Sequence, residues 1–450
     1  MRRIRAHVVG ATIAALTLSL AVPVAAQSGP DPNDATGSDA GAESEPDRQA
    51  SPQRYRVLGP DTREQRTRIA RTGVAIDEVG DDHVVVTAHR AEIEAIKELG
   101  FTVELLPQPF EGQIQQARYR TYSEMVAELE SIAASYPHLA RKVSIGRSHQ
   151  GRDIPALKIS NNVHVDEDVP EILINGNLHA RERLTSEMNL YLAAMLTEQY
   201  GRDPAVTRLL DSREIWIVPM ANPDGVVYDM VGSGRMWRKN RQPNRNSPYI
   251  GTDLNRNWAH RWGCCGGSSN NPRSDVYRGA GPESAPEVRA LANFVRSRVV
   301  NGEQQITAHI DFHTYSELVL WPMGYTYNST GPDMSPDENA VFVTLGRAMA
   351  QTNGYRPMQS SGLYITDGSI IDWMWANQGI FSFTFEMYPR HANFYPPPSV
   401  IERETARNRA AVLHLMEYAD CPYRAIGKEA QYCVAQDEEA SHQRLELAAR

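Results

Sequence analysis

The rhythm of apolar and polar positions divides this chain into segments. An apolar run over about 8–22 gives way to a stretch over 27–52 that is rich in Gly, Pro, Ser, Asp and Glu and has no periodicity. Such a stretch offers too little apolar surface to fold and reads as a disordered linker. Regular elements begin at Tyr55. Residues 55–58 read as a strand, 62–72 as a helix, 74–78 and 83–87 as two strands about the Gly80-Asp81-Asp82 turn, 92–99 as a helix and 101–106 as a strand. That β-α-β-β-α-β order predicts a small ferredoxin-like α+β unit. Pro107 and Pro109 stop its last strand, and 107–116 reads as a polar connector.

A larger domain begins near Tyr119. Helical periodicity marks 123–134, 186–200, 286–299, 339–352 and 401–418, and short apolar runs at 154–159, 172–175, 215–220, 307–312, 319–322 and 381–385 lie between them. Apolar strands alternating with helices predict an α/β domain whose sheet is covered on both faces. In such folds sites gather at the carboxyl ends of the strands. The tail after Cys421 is short and polar. The expected plan is therefore 1–26 signal peptide, 27–52 linker, 53–116 small unit with connector, 117–420 large domain and 421–450 tail.

Composition narrows the picture. A chain of 450 residues, 41% hydrophobic, can bury a large core, and a net charge of -9 spread along the chain argues against a nucleic-acid partner. Arg2, Arg3 and Arg5 precede the first apolar run, and Val24-Ala25-Ala26 offers a cleavage point ahead of Gln27. This is the pattern of a secretory signal peptide. The run is shorter than the roughly 20 residues that span a bilayer, so a secreted, extracellular protein is expected, with no membrane association after cleavage. Four cysteines in an exported chain favour two disulfides. Of the three pairings, Cys421–Cys433 with a vicinal Cys264–Cys265 is expected, and the spacing does not suit a Cys-type zinc site.

The chemistry-bearing residues sit at predicted strand ends. Residues 172–175 run into Asn177-Leu178-His179-Ala180-Arg181-Glu182, where His179 and Glu182 are close enough in sequence to reach one metal ion. His89 and Glu92 share that spacing but open a predicted amphipathic helix and read as solvated helix surface. His313 ends another strand and reads either as a core histidine or as a third ligand. Glu386 closes a further apolar strand, as a buried salt-bridge partner or as a general base with a raised pKa. Trp237-Arg238-Lys239, Asp253-Leu254-Asn255-Arg256-Asn257-Trp258 and Leu363-Tyr364 with Ile371-Asp372-Trp373 are dense polar and aromatic clusters. Their arginines suit carboxylate capture or ordinary surface charge.

Taken in order, these motifs, with Asn222-Pro223-Asp224-Gly225, Asp311-Phe312-His313-Thr314-Tyr315-Ser316 and Phe383-Thr384-Phe385-Glu386, resemble the carboxypeptidase A-like zinc carboxypeptidases over about 119–420. The Cys264-Cys265-Gly266-Gly267-Ser268 segment is most similar to secreted actinobacterial members. The resemblance implies a mixed, twisted sheet with helices on both faces, and one zinc ion held by His179, Glu182 and His313. It implies Glu386 as general base and acid, and Arg238 as the oxyanion's partner. Asn255, Arg256 and Tyr364 would hold the substrate's terminal carboxylate, Arg181 would assist binding, and Asp253 would orient His179. Ile371 would form the base of the side-chain pocket, with Leu320, Gly324 and Thr384 around it. That composition implies preference for large apolar or aromatic terminal residues, although Asp367 lies near enough in sequence to admit basic ones. The expected partners are peptide and protein C-termini, and a monomer is expected. By its placement, the small unit is expected to be a pro-segment that covers the cleft and is removed after export. The competing readings are an inactive binding protein of the same fold, a serine or cysteine hydrolase, and an enzyme of cell-wall peptides. Every matched catalytic position is filled, there is no G-x-S-x-G elbow, and Arg256 with Ile371 suits ordinary C-terminal residues.

Overall fold

The computed structural model describes residues 52–107, 119–230, 236–300, 302–391 and 393–433. The expected signal peptide, the linker up to residue 51, most of the connector and the end of the tail lie outside them. The small unit contains β1 (Gln53–Leu58), α1 (Arg63–Ala70), β2 (Ala75–Val79), β3 (His83–Ala88), α2 (Arg90–Glu98) and β4 (Thr102–Leu105). All its strand pairings are antiparallel, in the order β2-β3-β1-β4. Alternation along β3 turns Val84 and Val86 inward, where they share a core with Val57 of β1, Ile69 of α1, and Ile93 and Ile96 of α2. The helix α1 starts at a capping box, Thr62 accepting from the Gln65 backbone while the Gln65 side chain accepts from the Thr62 N–H.

One expectation fails here. His89 and Glu92 are not solvated helix surface: His89 is buried, and Glu92 accepts from the His89 N–H at 2.7 Å. Glu92 sits in a cleft shared with Ser268 and Ser269 of the larger domain. Burial pushes its carboxyl up to about 7, and nearby Asp275 adds to the effect. The helix was amphipathic as expected, but its polar first turn faces another part of the protein.

The larger domain is built on β5 (Ala140–Arg147), β6 (Asp153–Ile159), β7 (Glu171–Gly176), β8 (Glu214–Val218), β11 (Ile306–Thr314), β12 (Leu318–Trp321), β13 (Arg356–Gln359) and β14 (Phe381–Met387), with a short separate pair, β9 (Val299–Val300) and β10 (Glu303–Gln304). The eight-stranded order is β13-β12-β14-β11-β7-β8-β6-β5. The central neighbours β14, β11, β7 and β8 are parallel, whereas β12 against β14, β6 against β8 and β5 against β6 are antiparallel. The sheet is mixed, as expected. Its helices are α3 (Tyr122–Ser135), α4 (Leu184–Gln199), α5 (Pro204–Leu210), α6 (Pro223–Asp229), α7 (Pro286–Ser297), α8 (Pro336–Asn353), α9 (Ile370–Gln378), α10 (Ile401–Arg407), α11 (Arg409–Tyr418) and α12 (Glu429–Tyr432). One face of the sheet packs Ile172, Ile174, Ile310, Phe312 and Phe385 against α3, α4, α8 and α11. Leu173, Trp216 and Val218 share a second core with α7 and α9.

Within the eight-stranded sheet, the two strands that the apolar pattern missed, β5 and β13, are the edges; the two-residue strands β9 and β10 were missed as well. An edge strand has less apolar surface to bury, and β13 carries Pro357, which an edge tolerates. The helix expected over 401–418 is two helices broken at Asn408. That buried side chain donates to the Glu404 carbonyl at 2.9 Å and the Tyr355 hydroxyl at 3.1 Å, and accepts from Asn353 at 3.0 Å. Both expected disulfides are present, Cys264–Cys265 and Cys421–Cys433. Residues 421–433 of the expected tail pack on the domain. Tyr423 stacks on Tyr432 with ring centroids 3.9 Å apart and meets Phe381 edge-on, and Lys428 pairs with Asp337 of α8 at 2.6 Å.

Candidate active site

Three adjacent parallel strands, β7, β11 and β14, end on the same side of the sheet. Side chains alternate along a strand, so one face of β11 carries Ile310 and Phe312 and the other carries His309, Asp311 and His313. In β14 the polar members are Ser382, Thr384 and Glu386. The register sets His313 directly beside Glu386 and Asp311 beside Thr384. On the other flank of β11, Asn175 lies beside Asp311. A polar stripe therefore runs through the middle of an otherwise apolar sheet.

The chain leaves β7 through Asn177, which has a left-handed φ of 54°. Asn tolerates that conformation better than most residues. Its amide donates to the His179 carbonyl at 3.0 Å and the Glu182 carbonyl at 3.2 Å, and its backbone N–H donates to Thr185 at 2.9 Å. This turn delivers His179 and Glu182 to the strand ends. His179 Nδ1 lies 2.8 Å from one Glu182 oxygen, His313 Nδ1 lies 2.8 Å from the other, and the two nitrogens are 3.1 Å apart. All three side chains are buried. Burial opposes the negative charge on Glu182, but the two imidazoles outweigh it and hold the carboxyl below its ordinary range.

The outer imidazole nitrogens are also occupied. His179 Nε2 faces Asp253 at 3.0 Å and His313 Nε2 faces Asp311 at 2.6 Å. Asp253 was expected from the sequence; Asp311 was not singled out. Asp253 receives Arg238 on its second oxygen, from Nε at 3.1 Å and Nη2 at 3.0 Å, and the Asn255 N–H on its first at 2.9 Å. Asp311 accepts from Asn175 at 2.6 Å, Asn175 accepts from His309 Nε2 at 2.6 Å, and His309 Nδ1 meets the Ser382 hydroxyl at 2.7 Å. The Asn175 carbonyl oxygen needs a donor, so His309 carries its proton on Nε2 and accepts from Ser382. Burial pushes His309 down to about 4. Every member of this relay sits at an alternate position of its strand, a period-two polar signal inside apolar runs that was present in the sequence and unused.

The remaining expected residues surround a cavity of about 90 Å3. Arg238, Asn255, Arg256, Tyr364, Ile371, Leu320, Thr384 and Glu386 all line it with the His179–Glu182–His313 cluster. Burial pushes the Glu386 carboxyl up to about 8; His313 and Arg238 pull it down, Glu182 and Asp311 push it further up. Gly324 lies behind this lining, where a Cβ would come within 2.4 Å of the Thr366 hydroxyl. Asp367 is fully buried and faces away from the cavity: its carboxylate accepts from the Cys265 and Gly267 N–H groups at 3.0 and 2.9 Å and from the Ser268 hydroxyl.

The small unit contributes Ile76, Asp77, Glu78 and Val79 of β2 to the cavity wall. Asp77 pairs with Arg181 at 2.7 Å, both side chains fully buried. The Arg181 guanidinium also lies 4.1 Å over the Phe394 ring. The Tyr364 hydroxyl donates to the Ile76 carbonyl at 3.4 Å, and Arg66 of α1 donates to the Leu363 carbonyl at 2.7 Å.

The donor set can be tested against zinc. The outer nitrogens are committed as donors to Asp253 and Asp311. Where no metal answers the Glu182 charge, protons on the inner nitrogens do, and one divalent cation held by His179, Glu182 and His313 would replace them and meet all three groups at once. Two imidazoles and a carboxylate, each oriented by an outer partner, are the donor set of a catalytic zinc centre.

The chain's likenesses agree with this chemistry. A family model described as zinc carboxypeptidase matches residues 125–411. A zinc carboxypeptidase of Saccharothrix mutabilis subsp. capreolus is 43% identical over 390 residues, covering 82% of this chain and 89% of that protein. Carboxypeptidase A1 of Rattus norvegicus is 34% identical over 307 residues, covering 67% and 70%. Among solved structures, carboxypeptidase A from Helicoverpa armigera superposes with a TM-score of 0.70 at 21% identity, covering 85% of this chain and 99% of that one. Thrombin-activatable fibrinolysis inhibitor gives 0.68 at 24%, covering 82% and 99%. The chain belongs to the zinc carboxypeptidase family of metallocarboxypeptidase hydrolases.

Proposed function

We propose that this protein is a secreted, monomeric exopeptidase that holds one zinc ion at His179, Glu182 and His313 and removes the C-terminal residue of peptides and proteins. The observation that carries the reading is the meeting of these three side chains at the ends of β7 and β11, with Glu386 in register beside His313. Zinc bound there supplies Lewis acidity, making a water more acidic and a carbonyl more electrophilic. Glu386 takes the proton of the attacking water and passes it to the leaving amine. Arg238, aimed by Asp253, faces the oxygen on which negative charge develops. Asn255, Arg256 and Tyr364 hold the terminal carboxylate, so that only a chain end fits, and Arg181 binds the substrate upstream. Ile371, Leu320 and Thr384 offer an apolar pocket. Asp367 is tied to the Cys265 and Gly267 N–H groups and the Ser268 hydroxyl and is not available to a basic side chain, which supports preference for large apolar or aromatic terminal residues.

The domain plan given by the sequence fits an enzyme made as a zymogen, with 53–116 as pro-segment. In its presence the cavity is about 90 Å3, below the roughly 300–1,000 Å3 of ligand pockets. Arg181 and Tyr364, both read as substrate-binding, are engaged by Asp77 and Ile76. Measuring zinc content and C-terminal residue release before and after cleavage in the connector, with and without a chelator, tests the whole reading. Activity that survives complete zinc removal would refute the exopeptidase mechanism. Equal activity before and after cleavage would refute the zymogen. Comparison of kcat/KM on peptides ending in Phe, Leu, Lys and Arg tests the pocket, and a dominant Lys or Arg preference would refute it.

A further inference from the structure

We propose that the loop containing the Cys264–Cys265 disulfide, tethered by Asp367, is a brace that aims the Arg256 guanidinium at the substrate's terminal carboxylate. The proposal rests on the reading of Arg256 as a carboxylate-binding residue. Capture of a carboxylate by arginine depends on the orientation of a planar fork, and a productive site tolerates about 0.5 Å and 10–20° of error. Arg256 is buried and lines the cavity. Two of its guanidinium nitrogens are fixed, with Nε donating to the Gly267 carbonyl at 3.0 Å and Nη1 to the Asn255 carbonyl at 2.6 Å. The aim of the fork therefore depends on where the Gly267 carbonyl stands.

That carbonyl belongs to a segment, Gly263 to Gly267, in which three glycines flank the two cysteines. Glycines alone would leave such a segment loose. Two features hold it. The disulfide joins adjacent residues and locks the backbone between them. The buried Asp367 carboxylate then accepts from the Cys265 N–H, the Gly267 N–H and the Ser268 hydroxyl. The fit is backbone on backbone: a Cβ at Gly267 would fall 2.3 Å from Thr366 Cα, and one at Gly368, where φ is +62°, would fall 2.4 Å from the Arg256 carbonyl oxygen. Asp367 thus binds the loop from a segment that itself presses on Arg256. A buried carboxylate with only backbone and hydroxyl donors is costly to keep, and here it fixes the acceptor that orients the guanidinium.

The test uses the full chain, processed in its connector, with Asp367→Ala, the Cys264→Ser/Cys265→Ser pair and Arg256→Lys made separately. The readouts are KM and kcat on a peptide ending in phenylalanine, and the inhibition constant of 3-phenylpropanoate, a carboxylate with one aromatic ring. Loss of a charge-assisted hydrogen bond's alignment predicts that KM and the inhibition constant rise together by about ten-fold in both brace variants, with kcat within about two-fold of the parent. If the cysteine pair is needed for folding, Ser268→Ala removes a single bond to Asp367, and a rise of about two-fold in both constants is expected. Unchanged constants in the brace variants, alongside a rise in Arg256→Lys, would overturn the brace and leave the carboxylate reading intact. Unchanged constants in Arg256→Lys would overturn that reading, and the brace with it. A fall in kcat with no change in KM would mark the loop as a structural element only and would also overturn the proposal.

Discussion

The two ends of β7 each gather three potential metal-binding side chains within 4.8 Å, and they have opposite characters. At the start of the strand, Glu171 meets Asp166 and Glu214. There the charge is already answered: Arg298 pairs with Asp166 and Glu171, Lys158 binds Glu214 at 2.7 Å, and the Trp216 indole donates to Glu171 at 3.0 Å. Beyond the other end, His179, Glu182 and His313 are backed by Asp253 and Asp311, which are acceptors, and Arg238 is turned onto Asp253. Proximity of ligand atoms is thus a weak criterion. What distinguishes the two clusters is whether a side-chain cation stands at their centre or is kept one shell away.

The largest effect should come from removing charge at the centre of the second cluster. Glu182→Gln is expected to lower zinc affinity by about a thousand-fold or more, with activity lost in parallel; equilibrium dialysis against a competing chelator measures it, and retained stoichiometric zinc would contradict the comparison. At the other end of β7, Arg298→Ala should leave Glu171 and Glu214 buried with too little counter-charge and destabilise the protein by about 3 kcal/mol. Urea denaturation of parent and variant checks this, with catalytic constants of the surviving folded protein unaltered. Asp311→Asn keeps the shape of the outer partner but not its charge, and zinc affinity should fall about 10- to 100-fold. Affinity equal to the parent's would show that His313 needs no carboxylate behind it.

The smallest effect concerns pH. Burial pushes His309 down to about 4 from an ordinary value near 6.5. Between those values the unfolded chain binds a proton that the folded chain refuses, so stability falls as pH drops through that window and this contribution levels off below it. His309→Gln should flatten that part of the stability–pH curve. Superimposable curves for parent and variant would remove His309 from the account.

Which parts of this arrangement could be read in advance follows from where the physics is local. His179, Glu182, His313 and Glu386 each stand where an apolar strand stops, so their places were legible although the chain separates them widely. Asn175, His309, Asp311 and Ser382 were passed over because polar residues inside apolar runs look like interruptions. Only the lateral pairing of β7, β11 and β14 joins them. The edge strands β5 and β13 gave weak signals because they bury less. Asp367 was read as a possible pocket residue from its nearness to Ile371 in sequence, and its actual partners, the Cys265 and Gly267 N–H groups and the Ser268 hydroxyl, are distant in the chain. Glu92 was misread for the same reason, since the surface that buries it belongs to a later segment.

The placement of Glu386 beside His313 has a practical consequence. It is fixed by the pairing of two parallel strands, and that pairing is held on the opposite face by Phe312 against Phe385, ring centroids 5.4 Å apart. The distance between the Glu386 carboxylate and the His313 imidazole is thus guarded by hydrocarbon contacts on the far face of the sheet. Surface loops can be exchanged, lengthened or recut for new specificities without disturbing that distance, whereas a single-residue slip of one strand past the other would turn Glu386 to the far side of the sheet.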